Sequence, residues 1–226
     1  MAESSRYRSG TWSLYYWPGF RGRGDYARLM FEVAGVKYRD VCNDEKNADS
    51  VLKYEDSGED FILSQSVSIL HFLGTQFGLC PVKPEDDAHA LQIALTVADY
   101  ISEGHDAFHP IKKTGTYESQ KEEAKPFIEY FKSTRLPRYM KHFEDVYTRC
   151  RDVNKYFFNS KTESEPTYAD IAVYHALCAT KASFEDWNEI EYPRLLEFKQ
   201  MMDEHERIKE YNGKDTTQKY CGNSLM

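Results

Sequence analysis

The stretch from Trp12 to Tyr38, WSLYYWPGFRGRGDYARLMFEVAGVKY, narrows the folds open to this chain more than any other. Trp12 to Trp17 is an aromatic run that suits a strand. Pro18 and Gly19 punctuate it. A helix begins near Arg21 to Gly24. It keeps Leu29, Met30, Phe31, Val33 and Ala34 at roughly helical spacing and stops at Gly35, a good residue just past a helix end. Val36 to Val41 reads as a second strand. Strand, helix and strand within about 30 residues form a βαβ unit. At its tip, Tyr15 and Tyr16 end the strand and Arg21 and Arg23 open the helix. Cations there oppose the helix dipole, and an anionic ligand would relieve the conflict. Solvated arginines and packed aromatics are the plainer alternative.

Asn43 to Ser50 (NDEKNADS) is polar and reads as a loop. Val51 to Tyr54 and Phe61 to Leu63 read as a hairpin around Asp56-Ser57-Gly58. Ser64 or Ser66 can cap the next helix, which carries Val67, Ile69, Leu70, Phe72 and Leu73 and ends near Gly78. Cys80 to Glu85 (CPVKPE) reads as a linker. Everything beyond has helical periodicity: Asp86 to Glu103, Tyr117 to Phe131, Leu136 to Cys150, a helix opening at Thr167 and another at Pro193. Thr167-Tyr168-Ala169-Asp170 matches a capping box. Met1 to Gly10 and the residues from Asn212 onward are polar and read as loose tails.

The formal charge of -8 argues against nucleic-acid or anionic-membrane partners. No apolar run is long enough to span a membrane, and the polar first residues show no signal peptide. Five scattered cysteines form no CxxC and no zinc spacing, so a reducing, cytoplasmic setting is expected. His105 and His109 stand four residues apart without a third ligand, and no metal is expected.

Tyr16-Trp17-Pro18-Gly19-Phe20-Arg21-Gly22-Arg23-Gly24-Asp25-Tyr26-Ala27-Arg28 resembles the start of cytosolic glutathione S-transferases, most like the sigma class and its mu and pi relatives. Gln65-Ser66 after the hairpin, the Thr167 box and Tyr192-Pro193-Arg194-Leu195 extend the resemblance from roughly Leu14 to Tyr211. It implies an α/β thioredoxin-like N-terminal domain over residues 11–80 and a linker over 81–85. An all-α C-terminal domain over 86–211 follows, with tails at 1–10 and 212–226. Tyr16-Trp17-Pro18-Gly19 stands where thioredoxins carry CxxC, so dithiol exchange is not expected.

The resemblance also implies glutathione as co-substrate, a small hydrophobic electrophile as its partner, and a homodimer. Detoxifying conjugation and sigma-type isomerisation of prostaglandin-like substrates are both implied. Tyr16 would donate to the glutathione sulfur, although one extra loop residue leaves Tyr15 open as the alternative. Arg23, Gln65 and Ser66 would hold the γ-glutamyl end, and the backbone at Val51 the cysteinyl part. Asp99 would reach across the dimer. The electrophile would lie between the domains, with Phe20, Phe108 and Tyr117 as lining.

The chain departs from the family over Val41 to Val51, which is shorter. Ser50 takes the place of the family's cis-proline, and the sigma tryptophan and lysine of this segment are absent. A cis bond before serine costs about 2.5–4 kcal/mol, against about 0.5–1 before proline, so a trans bond is expected. This departure supports a second reading: a non-catalytic binding or structural protein on the same fold with an impaired glutathione site, for which lens crystallins are the family's precedent.

Overall fold

The computed structural model describes residues 12–51, 61–150, 155–162, 164–187 and 191–225. The opening stretch forms strand β1 (Trp12–Leu14), a 3-10 turn (Gly22–Gly24), helix α1 (Asp25–Ala34) and strand β2 (Tyr38–Asp40). The strands pair in parallel, with Trp12 opposite Tyr38 and Leu14 opposite Asp40. Gly35 ends α1 in the left-handed region at φ +65, its N–H donating to the Glu32 and Phe31 carbonyls. Both strands are shorter than the aromatic and apolar runs suggest. Tyr15 to Trp17 leave the ladder because the Tyr16 ring turns back over the helix start.

Residues 43–50 are not the loop expected of them. Helix α2 (Val41–Glu45) follows β2 directly. Lys46 ends it in the left-handed region, with its N–H on the Asn43 carbonyl and that of Asn47 on Cys42. Residues 48–51 make a further 3-10 turn. Val41 and Cys42 are buried and anchor this otherwise polar piece. A single helical turn is too short to show periodicity, which is why the sequence reads as a loop. Most of the expected hairpin lies outside the described residues, as does the polar lead. Phe61 to Leu63 carry no regular secondary structure.

The remaining elements are helices α3 (Ser66–Phe77), α4 (Pro84–Phe108), α5 (Lys121–Tyr130), α6 (Leu136–Cys150), α7 (Tyr168–Ser183), α8 (Pro193–Glu204) and α9 (Glu206–Gly213). Helix α4 takes in the end of the expected linker. Pro84 sits in its first turn, where a missing N–H breaks no bond, and Glu85, Asp86 and Asp87 complement the dipole. A π turn (Phe131–Arg135) runs α5 into α6. Helix α7 is the centre of the helical part, buried without a break from Tyr168 to Leu177. The Thr167 capping box opens it, and Asp170 also accepts the Phe157 N–H at 2.8 Å. Helix α1 packs against α3, α7 and α9, which joins the βαβ unit to the helical part.

The stretch from Asn212 onward is not loose. Helix α9 continues to Gly213, and residues 214–225 return across the start of α1. The Arg21 N–H donates to the Lys219 carbonyl at 3.1 Å and its Nε to Gln218 at 2.8 Å. Leu225 is fully buried. This contact joins residues nearly two hundred positions apart and leaves no trace in local composition.

Asp25 is the buried centre of that junction. It accepts from Arg21 at 3.1 Å and from the Tyr211 hydroxyl at 2.5 Å. His175 of α7 stands 3.8 Å away. Burial opposes its charge, but the His175, Arg21 and Tyr211 groups outweigh burial and hold the carboxyl below its ordinary value. Asp25→Asn should therefore cost about 3 kcal/mol in urea unfolding at neutral pH, because it strands a buried guanidinium. A depressed carboxyl stabilises above its unfolded pKa of about 3.9 and loses that contribution as pH falls through the folded value. The gap between wild type and variant should thus stay constant across neutral pH and narrow only in acid.

Candidate functional site

The site is built on Tyr16. Its hydroxyl accepts the Arg23 N–H at 2.9 Å. Its ring lies against Gly22 and Gly24. A Cβ on Gly24 would stand 2.5 Å from the ring, and one on Gly22 would overlap the hydroxyl. Gly22 also holds φ +48, a conformation open to glycine. The glycines of Arg-Gly-Arg-Gly are therefore what let the ring close on the turn. Phe20 meets the ring edge-on at 5.9 Å, and the Arg28 guanidinium lies 5.8 Å from its centre.

Burial pushes the Tyr16 phenol up, while the Arg23 N–H and the charges of Arg23 and Arg28 pull it down; the net shift is upward. The phenol is thus protonated at neutral pH. Its oxygen accepts from Arg23, and its proton has no acceptor among the described residues. Tyr15 also lines the cavity described below, but its hydroxyl makes no hydrogen bond among the described residues.

The two arginines behave differently. Arg21 is turned inward and neutralised by Asp25. Arg23 is half-buried, lines the cavity, and its guanidinium has no hydrogen-bond or ion-pair partner among the described residues. The conflict of cation and helix dipole therefore survives at Arg23 alone.

A third arginine went unnoticed as a site residue. Arg28 is 2% exposed. It donates to Asp40 at the end of β2 at 2.6 Å and to the Arg21 carbonyl at 2.8 Å. Asn43 of α2 completes the support, donating to Asp40 at 2.7 Å and accepting the Gly19 N–H at 3.0 Å. The segment that read as a loop thus holds the turn that carries Tyr16. The available signal was the closing arginine of the Arg-Gly-Arg-Gly-Asp-Tyr-Ala-Arg run. Nothing local marked Asn43.

Helix α3 supplies the opposite wall. Neither Ser64 nor Ser66 caps it: Gln65 occupies the capping position and Ser66 is the first helical residue, with no side-chain cap. Gln65 is held at φ +72, ψ 114, costly for a residue with a Cβ. Uncapped first-turn N–H groups at a helix start are ready donors for an anion. Tyr16, Arg23, Val51, Gln65 and Ser66 all line one cavity of about 440 Å³. That is within the size range of small-ligand pockets. Trp12, Leu14, Phe31 and Phe72 give it an apolar side.

The structure leaves other expected residues outside this cavity. Asp99 is on the exposed face of α4. Phe108 is buried against Tyr117 and Phe184 and is not among the residues lining this cavity. Of the three expected electrophile-lining aromatics, only Phe20 touches Tyr16. His105 and His109 stack with ring centres 4.4 Å apart, and no group of three metal-ligating side chains forms among the described residues. Ser50 is buried, its hydroxyl donating to Glu45 at 2.7 Å and its N–H to Asn47. All described peptide bonds are trans.

Comparison with known proteins bears on both halves of the chain. The family model "Glutathione S-transferase, C-terminal domain" matches residues 105–215. Glutathione S-transferase 1 of Ascaris suum is 29% identical over 182 residues, covering 74% of this chain and 79% of that protein. The glutathione S-transferase of Ascaris lumbricoides superposes with a TM-score of 0.65 at 21% identity, over 90% of this chain and 96% of that one. The prostaglandin synthase D of Nilaparvata lugens superposes at 0.69 with 17% identity, over 91% and 98%. The small parallel sheet followed by helices is thus a thioredoxin-like unit joined to an all-α unit. With its helical part matched by the family model and both parts spanned by these relatives, the chain is similar over most of its length to cytosolic glutathione S-transferases.

Proposed function

We propose that this chain is a glutathione transferase of sigma-like character that joins the glutathione thiolate to a small apolar electrophile. The observation that carries the reading is the cavity bringing Tyr16, Arg23, Gln65 and Ser66 together. Each offers what one part of glutathione lacks. Ser66 and the uncapped start of α3 offer donors to the γ-glutamyl carboxylate, and the Arg23 guanidinium, without a partner among the described residues, offers charge. Tyr16 offers a phenolic proton to the sulfur. A hydrogen bond to the charged form lowers the thiol's pKa, and the thiolate is the reactive species. Tyr16 is packed on the Arg23 turn with its hydroxyl fixed by the Arg23 N–H, which favours it over Tyr15. Relatives bearing the transferase name support the same chemistry. The neighbour named prostaglandin synthase D supports isomerisation as a related activity.

The homodimer belongs to this reading, with Asp99 and the exposed Leu95 one turn before it on α4 facing a second copy. So do the division near residues 81–85 and a cytoplasmic setting. All five cysteines are free thiols. Among the described residues no helix is long and apolar enough to cross a membrane.

A second reading, binding without turnover, draws on Ser50. Its hydroxyl is committed to Glu45, and it replaces the proline that would shape the backbone before Val51. Glutathione binding without conjugation would select it.

Three measurements test the proposal. Calorimetry should show glutathione binding to wild type. Ser66→Ala should weaken it about tenfold, the loss of one hydrogen bond to a charged group; no binding to wild type would defeat the reading. Tyr16→Phe should raise the bound thiol pKa by about 1–2 units and slow conjugation about 10–100-fold, with affinity nearly unchanged. Gly24→Ala should reproduce the Tyr16→Phe rate loss by displacing the ring, while binding that depends on Ser66 persists. Full activity in Gly24→Ala would refute the packing argument.

A further inference from the structure

Residues 109–116 join α4 to a 3-10 turn (Tyr117–Gln120) and are shaped around one side-chain amide. Gln120 is 3% exposed. Its Oε1 accepts the N–H groups of Ile111 at 2.9 Å and Lys112 at 3.1 Å. Its Nε2 donates to the carbonyls of Lys112 at 3.0 Å and Thr116 at 3.3 Å. These backbone partners fix which end of the amide is which. Turning it over would set donor against donor and acceptor against acceptor. Gly115 lets the loop close on the amide, since a Cβ there would stand 3.2 Å from Nε2.

The same Nε2 lies 3.3 Å from Nδ1 of His109, at the end of α4. That nitrogen is therefore the acceptor, which places the His109 proton on its own Nε2 and leaves the ring neutral. His105, one turn earlier, stacks on it with ring centres 4.4 Å apart. The His105 Nε2 lies 3.2 Å from the Lys113 carbonyl and so carries its proton. Its Nδ1 is buried without a hydrogen-bond partner among the described residues. The groups around the pair pull in both directions. The Asp106 carboxylate, itself paired with Lys113 at 2.7 Å, favours a proton on either ring. So do the Lys113 and Ser224 backbone at His105 and the Gly115 backbone at His109. Burial opposes the charge most strongly at each ring, joined by Arg23 at His105 and by His105 itself at His109. Opposition wins, and both imidazoles are held below their ordinary value.

We propose that Gln120 and the His105–His109 pair form an acid-sensitive clasp on the loop from 110 to 116: a proton added to Nδ1 of His109 meets the Gln120 Nε2–H, the amide cannot turn over to receive it, and the loop opens. The sign follows from the direction of the shift. An imidazole held below its open-loop value of about 6.5 favours the closed loop in full above that pH. The preference is lost as pH falls from there through the closed-loop value. A second proton on His105 would set two cations face to face and keep the loop open.

The test follows amide hydrogen exchange in the full chain by NMR, with each rate divided by that of an unstructured peptide at the same pH. In wild type, the Ile111 and Lys112 amides should lose about fivefold in protection between about pH 7.5 and about pH 5, the weight of one hydrogen bond. The Val173 and Ala176 amides of α7 should hold theirs. His109→Phe keeps a ring in the stack without a nitrogen to protonate, so the acid loss should vanish. Gln120→Glu presents only oxygens to His109 and receives its proton, so protection should rise toward acid instead. A flat wild-type profile, or a loss shared equally by Val173 and Ala176, would overturn the clasp. So would an unchanged acid loss in His109→Phe or in Gln120→Glu. If Gln120→Glu leaves the loop unprotected at every pH, the wild-type and His109→Phe profiles still decide.

Discussion

The buried Arg28 guanidinium is the contact on which the rest of the site depends. It ties α1 to the end of β2 through Asp40, holds the Arg21 carbonyl, and lies beneath the Tyr16 ring. A buried charge persists only when its partners are supplied in good geometry. Asp40 and the Arg21 carbonyl supply them here, and Asn43 fixes Asp40 in turn. The cost of burying this cation makes the turn between β1 and α1 rigid. A rigid turn is what an oriented phenol requires.

From that turn the chemistry follows by exclusion of alternatives. Two glycines remove the Cβ atoms that would push the Tyr16 ring away, and the Arg23 N–H takes a lone pair of its oxygen. The phenolic proton has no acceptor among the described residues. Arg21 is consumed by Asp25 and Arg23 is not, so one positive charge faces the cavity. Across the cavity, Gln65 is strained and the start of α3 has no side-chain cap among the described residues. These are the features of a site organised before its ligand arrives.

The segment before Val51 has a structural role of its own. Its sequence differs from the family in losing a proline, yet α2 and Ser50 form a closed hydrogen-bonded piece that steadies the Tyr16 turn through Gly19. The same residues therefore support the turn that carries Tyr16.

Residues that act within one turn of their own element were legible in the chain. The βαβ order, the Gly35 stop, the Thr167 capping box, Leu136–Cys150 and the choice of Tyr16, Arg23 and Gln65-Ser66, which line one cavity, rest on local spacing and on short motifs that resemble a family. The three-dimensional packing alone decided what depends on partners far along the chain. Arg21 is a structural cation because Asp25, Asn212 and Gln218 surround it, whereas Arg23, two residues on, faces a cavity. The polar stretch after Asn212 is ordered because Arg21 and the Gly104 socket receive it. Hydrophobic periodicity reports which face of an element is buried. It carries no information about which distant backbone carbonyl or socket will meet a given side chain, and at this site those meetings separate the arginine that supports the fold from the one that lines the cavity.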